Sequence, residues 1–118
     1  MRISRFLSML AILCGSTGSA LAEDGIIVLV DVKIKPGNAE AVLAGFKRSQ
    51  ERCKEWSGCR RFDITVDEGI SEQMIIIEHW DSIDSHRREV EKTTGSETFA
   101  DFRQLLADDL KFRYLRLQ

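Results

Sequence analysis

The sequence is poor in the groupings that carry many common chemistries. It has two histidines, His79 and His86, and no second cluster of ligands near either. That leaves no metal-ligand spacing and no expected metal site. Its three cysteines, Cys14, Cys53 and Cys59, form no C-x-x-C pair, which argues against a dithiol redox motif. Positive charge is not in excess: 17 Lys and Arg face 19 Asp and Glu, for a net charge of −2. Nothing in that balance favours nucleic acid or an anionic lipid surface as a partner. There is no internal repeat, low-complexity tract or linker, and 118 residues predict one domain. The longest apolar run, FLSMLAILCG at 6–15, is too short to span a bilayer.

That run has another reading. Arg2 and Arg5 precede it, and Ala20-Leu21-Ala22 follows as a small-residue cleavage signature ahead of the acidic start EDG. Residues 1–22 are therefore expected to be a secretory signal peptide cleaved after Ala22. Leu13 before Cys14 is not the small residue a lipoprotein needs. The expected product is residues 23–118, periplasmic or secreted from a bacterium, with no membrane attachment after cleavage. Loss of the two leader arginines takes the net charge from −2 to −4. Export makes a disulfide chemically possible. Cys53 and Cys59 bracket one turn, and the residues allow either a bridge or two separate buried thiols.

The patterning alternates between strand and helix periods. In IIVLVDVKIK (26–35), Val28, Val30, Val32 and Ile34 share one face, which predicts a strand stopped by Pro36-Gly37. Asn38 is the expected cap of a helix over 39–56, with Val42, Phe46, Cys53 and Trp56 on its apolar stripe. CRRFDITVD (59–67) alternates again and leads through Glu68-Gly69 into a hairpin with a strand at 73–80. Ser82 opens a second helix, broken at Thr94-Gly95. Ser96 starts another piece, with Phe99, Phe102, Leu105 and Leu106 on its stripe. LKFRYLRL (110–117) closes the chain as a strand. The order β-α-β-β-α-β predicts an α+β, ferredoxin-like sandwich on a four-stranded antiparallel sheet. Helices cover one sheet face only. The other carries Ile27 and Leu29 beside Asp31, Lys33, Asp63 and Thr65. Such a mixed face predicts a homodimer closed sheet against sheet.

Taken together, KPGNAE, SGCRRFDI, MIIIEHWDS and the Thr-Gly break give the chain a clear likeness. Over roughly 26–117 it resembles the antibiotic biosynthesis monooxygenase domain family, dimeric α+β barrels of about this size. Glu78-His79-Trp80 matches the family's strand-ending glutamate–tryptophan signature, and Gly58-Cys59 matches the start of its second strand. The resemblance implies a cofactor-free oxygenase for quinols or polycyclic phenols, with a pocket between helices and sheet. The haem-degrading branch has a histidine on the following helix where Val90 stands here, so haem is not expected. The family's first-strand asparagine is absent, with Asp31 and Asn38 the nearest polar residues.

Cofactor-free oxygenation needs an electron-rich anion, a group that favours it and an apolar cavity for ring and dioxygen. Trp80 is the candidate to orient the ring, against the plainer role of a core tryptophan. His86 and Tyr114 are the candidates to handle the proton, against capping and packing roles. Phe46, Phe99 and Arg61 are the candidate substrate contacts, although a strand arginine is usually only wetted. Strand alternation puts Glu78 and Trp80 on one face and His79 on the other, so EHW is not a triad. The alternative function is a binding or stress-related dimer that keeps the scaffold without the chemistry. The two part on whether Phe46, Phe99 and Phe102 fill the space beside Trp80 or line it.

Overall fold

The computed structural model describes residues 25–118. The expected leader and its Ala22 boundary lie outside them. In chain order the elements are β1 (Ile26–Lys33), α1 (Ala39–Arg52), a 3₁₀ turn (Cys53–Glu55), β2 (Cys59–Val66), β3 (Gln73–Trp80), α2 (Ile83–Thr94), α3 (Glu97–Arg103) and β4 (Lys111–Leu115). The strands form one antiparallel sheet in the order β2-β3-β1-β4. This is the ferredoxin-like arrangement the element order predicts.

Alternation decides which side of the sheet is the core. Ile26, Val28, Val30 and Val32 of β1 are buried, as are Met74, Ile76, Glu78 and Trp80 of β3. These residues meet in register, Val28 opposite Glu78 and Val30 opposite Ile76. Three helices cover this face. Helix α1 presses Val42 and Phe46 onto it, and the Gln50 side chain donates to the Phe62 carbonyl of β2 at 2.8 Å. Gly45 leaves room for α3, since a Cβ there would lie 2.7 Å from the Phe102 ring.

The boundaries follow local chemistry. Ser82 and Ser96, both extended, accept from the amides of Ser85 and Phe99 at 3.1 Å, so α2 and α3 are capped as their sequences predict. Asn38 does not cap α1 with its side chain. Its backbone (φ −107°, ψ 8°) is not extended, so only its carbonyl serves, accepting from Val42 N at 3.0 Å. The helix expected over 39–56 stops at Arg52 and tightens into the 3₁₀ turn. There the chain reverses through Gly58, at φ 92°, and Cys53 is disulfide-bonded to Cys59. The β2–β3 hairpin closes on Asp67, whose carboxylate accepts from Gly69 N and Ile70 N at 2.8 and 3.0 Å. Strand β2 carries an irregularity between Cys59 and Arg61, which shifts its register against β3.

Among the described residues no helix covers the second sheet face. It combines Ile27, Leu29, Ile75, Ile77 and Leu115 with polar neighbours, among them an Arg61–Asp63 ion pair at 2.7 Å. Ile75 and Leu115 are 37% and 40% exposed.

The core assignment makes a direct prediction. Ile76→Ala should cost about 2–5 kcal/mol in urea denaturation, whereas Lys47→Ala on the outer side of α1 should stay within about 0.5 kcal/mol. Equal costs for the two would contradict the core described.

Candidate functional site: a carboxyl group at the floor of an aromatic cleft

The helices do not seal the sheet completely. Between α1 and the α2–α3 pair lies a cleft of about 1100 Å³. Its floor is Val30, Phe62, Glu78 and Phe112 of the sheet, and its walls include Phe46, Trp56, Val90, Phe99 and Phe102. Phe46 of α1 and Phe102 of α3 pack edge to face at 5.2 Å. The phenylalanines therefore line the space rather than fill it. Pockets for drug-sized molecules run to roughly 300–1,000 Å³, so a flat ring system has room here.

Among the described residues Glu78 is the one acidic side chain on the core face of the sheet. It is 6% exposed, and one oxygen, Oε1, accepts from the Trp80 indole N–H at 2.7 Å. The two side chains stand next but one along β3, on the same face, which brings them side by side. Among the described residues no hydrogen bond is made to the other oxygen. Burial pushes the Glu78 carboxyl from 4.5 up to about 7, and the Trp80 hydrogen bond holds it back from going higher.

Behind this pair lies a second polar group. His86, on the sheet side of α2, is 2% exposed and sets its ring edge-on to Trp80 at 5.3 Å and to Phe112 at 5.2 Å. Its Nδ1 shares a hydrogen bond with the Tyr114 hydroxyl at 2.9 Å, and its Nε2 stands 3.8 Å from Glu78 Oε1. Burial, helped by the charge of Arg87, drives His86 down to about 4. His86 is therefore neutral near pH 7, and its approach to Glu78 is a dipolar contact, not a pair of opposite charges.

The structure brings Trp80, His86 and Tyr114 into one network, but none of the three lines the cleft. Trp80 is 1% exposed and lies under Trp56, whose ring stacks on it at 6.1 Å and 12°. Phe46 and Phe99 do line the cleft. Arg61 does not: odd positions of β2 beyond the irregularity point to the uncovered face, where Arg61 pairs with Asp63. Two residues take roles the sequence reading did not assign. Glu78 reaches the cleft where Trp80 was expected to, and Trp56 supplies its wall. The signal for Glu78 was present: an acid in phase with Met74, Ile76 and Trp80 must be buried with them. Among the described residues no group of His, Cys, Asp and Glu is arranged to hold a metal ion.

An α+β chain with an open four-stranded sheet and a helix-covered cleft defines a fold shared with several solved structures. A Pseudomonas aeruginosa protein superposes with a TM-score of 0.63 at 20% identity, over 80% of this chain and 95% of its own. A conserved protein of Methanosarcina mazei gives 0.62 at 14% identity, over 85% and 99%. A structure described as an antibiotic biosynthesis monooxygenase gives 0.61 at 18% identity, over 79% and 98%. No curated protein matches the chain. The family model for antibiotic biosynthesis monooxygenases matches residues 25–105, and the chain belongs to that family.

The two shifted groups act on stability in opposite directions. For Glu78 the folded chain holds a proton that the unfolded chain releases, so its contribution is full below about pH 4.5 and is lost as pH rises through about 7. For His86 the contribution is present above about pH 6.5 and is lost as pH falls through about 4. Glu78→Gln removes the first effect alone. Between pH 5 and pH 8 its unfolding free energy should gain about 2–3 kcal/mol relative to the native chain. Parallel pH profiles for the two proteins would show that Glu78 keeps an ordinary carboxyl.

Proposed function

We propose that the protein is an exported, cofactor-independent monooxygenase that oxidises a small aromatic hydroxyl compound or quinol, with Glu78 as general base. The observation that carries this is the Glu78 carboxyl, raised to about 7 at the floor of an aromatic cleft with one oxygen fixed by Trp80. A base with that value is half ionised at neutral pH, where general-base catalysis works best. Its free oxygen takes the hydroxyl proton of a ring lying in the cleft. The resulting anion passes one electron to dioxygen, and the two radicals join through a new carbon–oxygen bond. The peroxide then splits. One oxygen stays on the ring as a quinone carbonyl, and the other leaves as water with the hydroxyl proton and the displaced ring hydrogen. His86 and Tyr114 act behind the base: a neutral imidazole and a phenol stabilise the charge on Glu78 without holding a competing charge there.

Oxygen uptake with a panel of quinols and naphthols tests this. The rate should rise with pH through a midpoint near 7. Glu78→Gln should lower it by about 100-fold or more. Trp80→Phe should move the midpoint upward, because it removes the hydrogen bond that favours the carboxylate. No uptake with any member of the panel sinks the reading. Binding without uptake would favour the alternative, a non-catalytic binding dimer on the same scaffold.

Two further parts of the proposal concern assembly and place. The uncovered sheet face, with Leu29 opposite Ile77 at its centre, suits a second copy of the chain. Leu29→Glu combined with Ile77→Glu should convert a dimer into a monomer in sedimentation velocity. A native chain already monomeric at micromolar concentration would refute the assembly. Export to the periplasm or beyond suits the Cys53–Cys59 disulfide, because such bonds persist in oxidising compartments.

A further inference from the structure

Residues 53–59 form a small closed loop beside the base. The bridge joins Cys53, at the end of α1, to Cys59, at the start of β2. Backbone hydrogen bonds run from Trp56 N to Cys53 O and from Cys59 N to Trp56 O, both at 3.1 Å, and Gly58 O accepts from Asp81 N at 2.9 Å. The loop is thus tied at both ends and to the end of β3. Trp56 is its one aromatic side chain. One ring face lies nearly parallel on the buried Trp80, and the edge of Phe62 closes one side at 6.3 Å. Trp56 lines the cleft and Trp80, buried, does not, so Trp56 is the member of the stacked pair that borders the open space.

We propose that Trp56 is the stacking surface that selects flat aromatic ligands in this cleft, and that the Cys53–Cys59 bridge is the clamp that holds it in place. A planar ring entering beside Glu78 extends the Trp80–Trp56 stack by one member. A saturated ring of the same size cannot offer a π-face, so it gains area burial but not the aromatic contribution. The clamp matters because a tryptophan on a free loop would lose part of its stacking energy to ordering the loop on binding. This inference rests on reading the cleft as an aromatic hydroxyl site, but it concerns binding, and its test needs no turnover.

The test compares 2-naphthol with decahydro-2-naphthol, its saturated counterpart, by titration calorimetry. Trp56 and Trp80 are the chain's two tryptophans, so quenching of intrinsic fluorescence gives a second readout from the site itself. The native protein should prefer 2-naphthol by about five- to tenfold, the size of one aromatic contact. Trp56→Leu should abolish the preference, and Trp56→Phe should restore part of it. Lys47→Ala, on the outer side of α1, should keep it, and the preference is read as binding with no oxygen uptake required, which separates this inference from the oxygenase reading. Failure of the native protein to bind 2-naphthol, or an undiminished preference in Trp56→Leu, overturns the stacking role. For the clamp, the native protein is measured before and after reduction by a phosphine. Loss of the preference with the far-ultraviolet circular dichroism unchanged supports it. Retained preference overturns it, as does collapse of the whole fold, which would make the bridge a general stabiliser.

Discussion

A carboxyl group buried on the largely apolar core face of the sheet is the constraint around which this molecule is arranged. An ionised Glu78 at that depth is costly unless partners replace the water it has lost. One oxygen finds the Trp80 indole N–H. That bond requires Trp80 to be fixed, and it is enclosed by Trp56 on one side and by the edge of His86 on another. His86 in turn must stay uncharged so deep in the core, and the Tyr114 hydroxyl supplies its polar partner. The strand register, which sets Glu78 between Val28 and Phe62, and the aromatic packing around Trp80 together fix the surroundings of this one acid.

Such an arrangement trades stability for a titration near neutrality. An aliphatic residue at position 78 would pack against Val28 and Phe62, its cross-strand neighbours, without any desolvation cost. Sites that break the rule of apolar interiors are where function is concentrated. The cleft beside Glu78 points to the same place independently of any charge argument.

The fold was largely legible in the amino-acid order. Alternation in β1 and β3, serines before α2 and α3, and the Pro-Gly stop after β1 each act locally, and each has its expected effect in the structure. The site was legible only in part. Period-2 alternation separates His79 from Trp80, and both Trp80 and His86 fall in the network. It cannot say which member of a buried cluster touches open space, because that depends on how helices from distant parts of the chain meet. Trp80 was therefore expected at the cleft that Trp56 covers. Arg61 was expected to reach a ligand, and the phase of β2 turns it the other way. Asn38 has the right side chain for a cap but the wrong backbone angles, its amide being held by the Lys35 carbonyl in the turn through Pro36-Gly37.

The irregularity in β2 has a geometric consequence of its own. Cys59 stands opposite Trp80 and Phe62 opposite Glu78, yet 59 and 62 differ in parity. In a regular strand they would face opposite ways. The extra residue resets the phase, so the anchoring sulfur and the cleft-floor ring both lie on the core side. The strand start is thereby a counted length of chain: side chains there can be exchanged one for one, but adding or removing a single residue turns one half of the site inside out.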